Sequence, residues 1–354
     1  MKNLALLLII LIAFVACNDG VNSPDSELVI DSDTALSSTE NPILTSSGGL
    51  SSSTLSSTTL SSPILSSSGL LSSSSILPTS SAGPFGPLGK MAFYITAHED
   101  DWQIFMGDHA HKDILEADEV IFIYITAGEA GKDETFWNAR EQGALNSIAW
   151  TLNDSSPIES FDLNFNNNQV VQTIIAHTKS YFLRLPDGNG SGDGFSAYNN
   201  QSLSKLKSGN ISTIQNVNKT ASYTWDQLVT TVQDIIHMHA KDNWDISFHL
   251  QDHDTGLNPG NHPDHITASL LAQEAIATTG LDDITFFLDY SNSRYGVNIS
   301  AEVIALKTGL FNAYDAKMQE LAYYNTIERE GDIYHTWLAR TYFRTATEPY
   351  NIVW

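Results

Sequence analysis

From residue 90 onward the apolar positions switch between two periods. "KMAFYITA" (90–97) and "DEVIFIYITAG" (118–128) are short apolar runs. The second is apolar at consecutive positions, which predicts a strand covered on both faces, as in a parallel sheet. "SYFLRLPDG" (180–188), "WDISFHL" (244–250) and "DITFFLDYS" (283–291) predict three further strands. Between them lie stretches with helical spacing: one near Trp102 to Leu115, then "TFWNAREQGALNSIAWTL" (135–152), "TWDQLVTTVQDIIHMHAK" (224–241) and "HPDHITASLLAQEAI" (262–276). Thr224 stands where a helix cap is expected, and "SAEVIALKTGLFNAYDAKMQELAYYNTI" (300–327) closes with helix. Strands alternating with helices predict an α/β class: a three-layer, Rossmann-like fold with a mainly parallel sheet. In such sheets ligands collect at the carboxyl ends of the strands, where the strand order switches.

The first 88 residues follow a different pattern. Residues 1–17, "MKNLALLLIILIAFVAC", have a lysine near the start and 13 uncharged, largely apolar residues from Leu4 to Ala16. That core is too short to span a bilayer and predicts a secretory signal. The chain's single cysteine, Cys17, follows at "FVAC", which is similar to a bacterial lipoprotein signal. Cleavage before Cys17 and its lipidation would make an exported, membrane-anchored lipoprotein, periplasmic or at the cell surface. The alternative is an ordinary signal peptide that contains a cysteine. Residues 18–88 are serine-rich: 19 of the 45 residues from Leu36 to Ser80 are Ser, and "PILTSSGGLSSS" returns 21 residues later as "PILSSSGLLSSSS". With too little apolar surface to offset ordering entropy, this segment reads as a flexible tether, with weak β-structure as the alternative. Residues 89–354 are then one sizeable domain, which without disulfides must be held by its own core.

All 7 Trp and all 11 His lie after residue 90, together with 35 acidic against 15 basic residues. A surplus of negative charge of that size argues against nucleic acid and anionic membrane surfaces as partners.

Two polar clusters occupy the positions that the sheet rule picks out. "AHEDD" ends the first strand, with His98 and Asp101 two residues apart; "NHPDH" follows the fourth, with His262 and His265 at the opening of a helix. Two imidazoles and a carboxylate are a common catalytic zinc set that leaves a position for water. Asp100 stands beside them as a base, and His262 as a group that polarises a carbonyl or stabilises an oxyanion. Each cluster taken singly reads equally well as a solvated acidic turn or as a helix start in which Asp264 caps.

"AHEDD", "ITAGEAG", "AREQGA" and "NHPDH", in that order, resemble the motifs of the PIG-L/LmbE-like family of zinc-dependent de-N-acetylases, over about Met91 to Tyr290. The resemblance implies one catalytic zinc, or another divalent ion, held by His98, Asp101 and His265, with Asp100 as general base. It implies His262 as electrostatic stabiliser, Asp264 orienting it, and Arg140 as a contact to the substrate. The implied activity is hydrolysis of a linear amide: removal of an N-acetyl or other N-acyl group from an amino sugar or glycoconjugate. A zinc amidase acting on a non-sugar substrate and a tethered, catalytically weakened glycan-binding module are the alternatives. Glu99 replaces the family's proline and Trp102 its final glutamate, so both are expected at the rim, facing solvent or substrate. Gly260 stands where some members carry a tyrosine.

Other candidates are weaker. "DGNGSGDG" (187–194) has oxygen side chains at alternate positions, but Tyr198 stands where a calcium loop needs its bidentate glutamate. A glycine-rich loop lining the pocket is the alternative to calcium on Asp187 to Asp193. His237 and His239, and Asp108 to His111, are spaced so that the side chains of a helix diverge. His249 and His253 read either as cleft-lining or as ordinary loop residues. No nucleophile elbow or phosphate-cradling lysine loop is present.

Overall fold

The computed structural model describes residues 88–154 and 158–345. The expected signal segment and all of the tether but its last residue lie outside the described residues. In chain order the elements are β1 (Lys90–Thr96), α1 (Asp101–Phe105), α2 (Gly107–Glu116), β2 (Glu119–Thr126), α3 (Glu134–Leu152), β3 (Glu159–Phe165), β4 (Asn168–Ile175) and β5 (Thr178–Leu185). They continue with α4 (Leu203–Lys207), β6 (Ile214–Gln215), β7 (Ser222–Tyr223), α5 (Trp225–His239), β8 (Asp245–Gln251), α6 (Pro263–Ala277) and β9 (Ile284–Phe287). The last are α7 (Ala301–Ala322), α8 (Thr326–Glu330), α9 (Ile333–Leu338) and β10 (Phe343–Thr345).

Eight strands form one sheet in the order β10-β9-β8-β1-β2-β5-β4-β3. The five strands from β9 to β5 are parallel, and antiparallel pairs close both ends. Residues of β1 show why the strand is apolar throughout. Met91, Phe93 and Ile95 pack with α5 and α6 on one face, while Ala92 and Tyr94 pack with α2, α3 and α7 on the other. The expected three-layer α/β fold is therefore present. β1 is also the switch point: the chain leaves it toward β2 on one side, and β8 lies on the other.

Local signals explain several boundaries. Thr224 and Gln227 form the capping box that opens α5. His262 caps α6 through Nδ1, which accepts the Asp264 N–H, and Pro263 follows in the first turn. The stretch around Trp102 to Leu115 is two helices, broken at Met106.

Several elements were not expected from the pattern: the β3–β4 pair, α4, the short β6 and β7, α9 and β10. β3 and β4 form a hairpin whose turn, Asn166 and Asn167, has φ of 51° and 65°. Positive φ at both central residues is what a two-residue hairpin turn needs, and asparagine tolerates it. β3 is the sheet's edge; it is mostly exposed and carries Glu159 and Asp162 outward.

Candidate metal centre

The end of β1 is pinned from both sides before any ligand is reached. The Ala97 carbonyl accepts from the N–H of Thr126 (2.9 Å) and from its hydroxyl (3.0 Å), both on β2, while the Ala97 N–H donates to Gln251 Oε1 on β8 at 2.9 Å. The next residues form a tight turn in which the His98 N–H donates to Asp101 Oδ2 at 2.6 Å. The first turn of α6 presents His265 to the same point. Its Nε2 lies 3.1 Å from His98 Nδ1 and 3.1 Å from Asp101 Oδ1, and His98 Nδ1 lies 3.6 Å from Asp101 Oδ2.

That triangle has the dimensions of a metal's coordination face. Bonds of about 2.0–2.2 Å in tetrahedral geometry place neighbouring donors about 3.4 Å apart. His265 Nδ1 lies 2.9 Å from Asn261 Oδ1 and 3.3 Å from Asp289 Oδ2. With its Nδ1–H given to those acceptors, neutral His265 turns the Nε2 lone pair toward Asp101 Oδ1 and His98 Nδ1. A divalent ion held by all three would satisfy them together, so these residues fit one. In the metal-free chain a proton is held instead. Burial lowers the His265 pKa, but Asp101 and Asp289 outweigh it and hold the imidazole up at about 9. Burial likewise works against a charged His98, and Asp101 overrides it, so His98 is raised well above its ordinary value. Burial opposes ionisation of Asp101 too, yet His265 and His98 bring it well below the carboxylate range.

The other edge of His98 meets a second group. His98, Asp187, His262 and Asp264 also bring ligand atoms within 4.8 Å of one another. Here the separations are wider: 3.6 Å from His98 Nε2 to Asp264 Oδ2, and 3.8 Å from His262 Nε2 to Asp187 Oδ1. His262 Nδ1 already accepts from the Asp264 N–H at 3.2 Å, so its proton resides on Nε2. The first triangle is therefore the better-formed ion site, and the second group is a polar wall beside it. Burial is the main cause that lowers His262 to about 4, so it is neutral at pH 7. Asp264 is fully buried and lies closer to His98 than to His262 through its Oδ2, which also accepts the Gly188 N–H at 2.7 Å. A Cβ on residue 188 would stand 2.5 Å from Asp264 Oδ1, so only glycine allows this approach.

Asp100 and Arg140 meet each other. Arg140 Nη2 donates to Asp100 Oδ1 at 2.5 Å and Nε donates to Glu99 Oε2 at 3.0 Å. Arg140, expected as a substrate contact, is thus paired with Asp100, the residue expected as base, and with Glu99. Glu99 and Trp102 are not at the rim. Glu99 is 1% exposed and Trp102 fully buried, with the indole N–H donating to Tyr124 Oη at 2.9 Å. The reason is geometric: the turn after β1 aims residue 99 at α3, and α1 carries residue 102 into the core beneath it. Burial raises the Glu99 carboxyl to about 8, against the pull of Arg140.

Several residues of the site were not foreseen. Asn261 and Asp289 orient His265 and each other, with Asn261 Nδ2 donating to Asp289 Oδ2 at 2.7 Å. Asp289 ends the β9 segment, a strand-end position like that of His98. Glu129 Oε2 accepts the Asp187 N–H at 2.8 Å; burial, then Asp187, raises its carboxyl to about 8. Asp187 belongs to the loop weighed as a calcium site, but its carboxylate faces His262 and the Ala130 N–H, so the loop lines the centre. His239 is buried between Tyr181 and Glu119. His249 faces Asp113 across the α2 side of the sheet and His253 bonds Gln273, so none of the three joins the centre.

Residues 93–276, just over half of the chain, match the family described as PIG-L: GlcNAc-PI de-N-acetylase. No curated protein matches the sequence. Among solved structures, N,N'-diacetylchitobiose deacetylase from Pyrococcus horikoshii is similar at 15% identity over 65% of this chain and 71% of its own, with a TM-score of 0.37. A 4-carboxy-2-hydroxymuconate hydratase from Pseudomonas putida follows at 11% identity, 70% and 82% coverage and a TM-score of 0.38. The zinc-inhibited form of a teicoplanin deacetylase shows 11% identity, 68% and 90% coverage and a TM-score of 0.38. On the family match, the chain belongs to the PIG-L (GlcNAc-PI de-N-acetylase) family.

Proposed function

We propose that this protein is a metal-dependent hydrolase that removes an acetyl, or another acyl, group from the nitrogen of an amino sugar or glycoconjugate. The observation that carries the reading is the triangle of His98 Nδ1, Asp101 and His265 Nε2 at the switch point of a domain of this family. Bound there, a divalent ion such as Zn²⁺ would supply Lewis acidity toward an amide carbonyl and toward water.

The chain's own residues do the rest. Asp100, held by Arg140, accepts the proton of the attacking water. Neutral His262 carries its hydrogen on Nε2 and donates it as a hydrogen bond to the oxygen on which charge develops. Asp264, fixed by the Gly188 N–H, holds the facing edge of His98. Water adds to the carbonyl carbon, the C–N bond breaks, the nitrogen takes the proton from Asp100, and acetate and a free amine leave. The near-complete burial of these groups excludes bulk solvent and strengthens each interaction.

Acetate release from N-acetylglucosamine oligomers, with wild type beside Asp100→Asn and His98→Ala, tests the reading. Activity that needs both residues, and metal content lost with His98→Ala, is expected. Bound metal with no product from sugar or non-sugar amides would defeat the enzymatic reading. It would favour a glycan-binding module, to which the short Arg140–Asp100 contact lends some support. The location we propose, a lipoprotein anchored through Cys17 and displayed on a serine-rich tether, rests on the sequence of residues 1–88. Labelling with a radioactive fatty acid, lost on Cys17→Ala, tests it.

A further inference from the structure

The loop that leads into α6 is fixed from a strand outside the region of the family match. β10 lies beyond residues 93–276 and pairs antiparallel with β9, Arg344 opposite Phe286. Arg344 Nε donates to Asp252 Oδ2 at 2.7 Å and Nη2 donates to Asp252 Oδ1 at 2.8 Å, while the guanidinium lies 4.6 Å over the Phe286 ring. Asp252 is fully buried, so this two-pronged pair neutralises a carboxylate that no solvent reaches.

Asp252 is also where the path to the centre begins. Its N–H donates to the Phe287 carbonyl at 2.8 Å, and its Oδ1 accepts the Asp254 N–H at 2.9 Å. Its carbonyl accepts from Asn258 Nδ2 at 3.1 Å and from Asn261 Nδ2 at 3.4 Å. The same two amides donate to Asp289 Oδ2, at 3.1 Å and 2.7 Å. With both acceptors of its amide nitrogen set by Asp252 and Asp289, Asn261 cannot flip, and its oxygen stays 2.9 Å from His265 Nδ1. Hydrogen bonds thus run without a gap from Arg344 through Asp252 and Asn261 to the ligand ring. We infer that Arg344 is a positioning residue of the metal centre: by fixing Asp252 it fixes the Asn261 amide, and hence the direction in which His265 offers Nε2 to the ion. The inference rests on the metal site of the proposed function.

Arg344→Lys keeps the charge but replaces the fork by a single point donor. Chelator competition with Zn²⁺ should show its affinity about fivefold or more below wild type. The visible absorption of the Co²⁺-saturated variant, which follows the geometry of the ligands, should shift as well. Phe343→Ala is the control: it strips the same strand of its packing on Phe287 and touches no member of the path. It should lower the melting temperature, yet leave affinity within about twofold of wild type and the Co²⁺ spectrum unchanged. Equal losses of affinity in both variants would mean that β10 acts through stability alone. Affinity of Arg344→Lys within about twofold of wild type would mean that the fork does not aim His265. Either result overturns the inference. If Arg344→Lys does not fold, Asp252→Asn, which keeps the shape and removes the buried charge, is judged by the same limits. Wild type that binds neither Zn²⁺ nor Co²⁺ overturns the inference together with the metal site, whereas metal binding without acetate release defeats only the proposed activity.

Discussion

Replacing Glu99 by glutamine should stabilise the protein, and more so as pH rises. One guanidinium, Arg140, lies between two buried carboxylates, Glu99 and Asp100, and its shorter contact is to Asp100. Burial raises the Glu99 carboxyl from 4.5 to about 8. Between those values the folded chain keeps a proton that the unfolded chain has released, so stability falls as pH rises. The slope approaches 1.4 kcal/mol per pH unit, so roughly 4 kcal/mol is lost at most between pH 5 and pH 8. Glutamine keeps the shape, still accepts from Arg140 Nε, and does not titrate. Urea denaturation of metal-free wild type and Glu99→Gln at pH 5, 6.5 and 8 reads the effect. The gap in favour of the variant should widen by a few kcal/mol over that range. A gap that stays constant would refute the reasoning, because it would mean that Arg140 outweighs burial and keeps Glu99 ionised throughout.

Two other outcomes follow from the centre. Asn261→Ala removes the acceptor that fixes the His265 ring, and should lower affinity for a divalent ion by about 10- to 100-fold in a chelator competition; unchanged affinity would show that Asp289 suffices alone. Because His98 and His265 are held protonated without metal, ion binding must displace protons, and affinity should rise by about tenfold per pH unit for each proton displaced below pH 9. Calorimetry in buffers of different ionisation enthalpy counts those protons, and a pH-independent affinity would contradict the assignment.

The parallel core was legible in the sequence because burial on both faces leaves a local signature. β1, β2 and β8 are apolar runs; α5 announces itself with Thr224, and α6 with "HPDH", although its cap is His262 and not Asp264 as weighed from the sequence. The grouping of His98, Asp101 and His265 was legible through the motifs "AHEDD", at a strand end, and "NHPDH", at a helix start, and through the resemblance they carry; the structure brings the three together. What escaped depends on partners remote in the chain. Glu99 looked like a rim residue until α3 brought Arg140, 41 positions later, against it. Asn261 and Asp289 lack any spacing that marks them, since their role is defined only by the ring they share. The β3–β4 hairpin mixes polar and apolar residues because β3 faces solvent, so neither period dominates there.

The hairpin has a consequence beyond topology. A sheet ends only where something stops the next strand from adding, and an exposed edge is an open template for intermolecular pairing. At one end, among the described residues, β10 comprises three residues. At the other, β3 holds Glu159 and Asp162 toward solvent along its length. Many copies crowded on one surface would therefore repel at this edge instead of zipping together, and a domain without disulfides has few other safeguards against becoming a fibre.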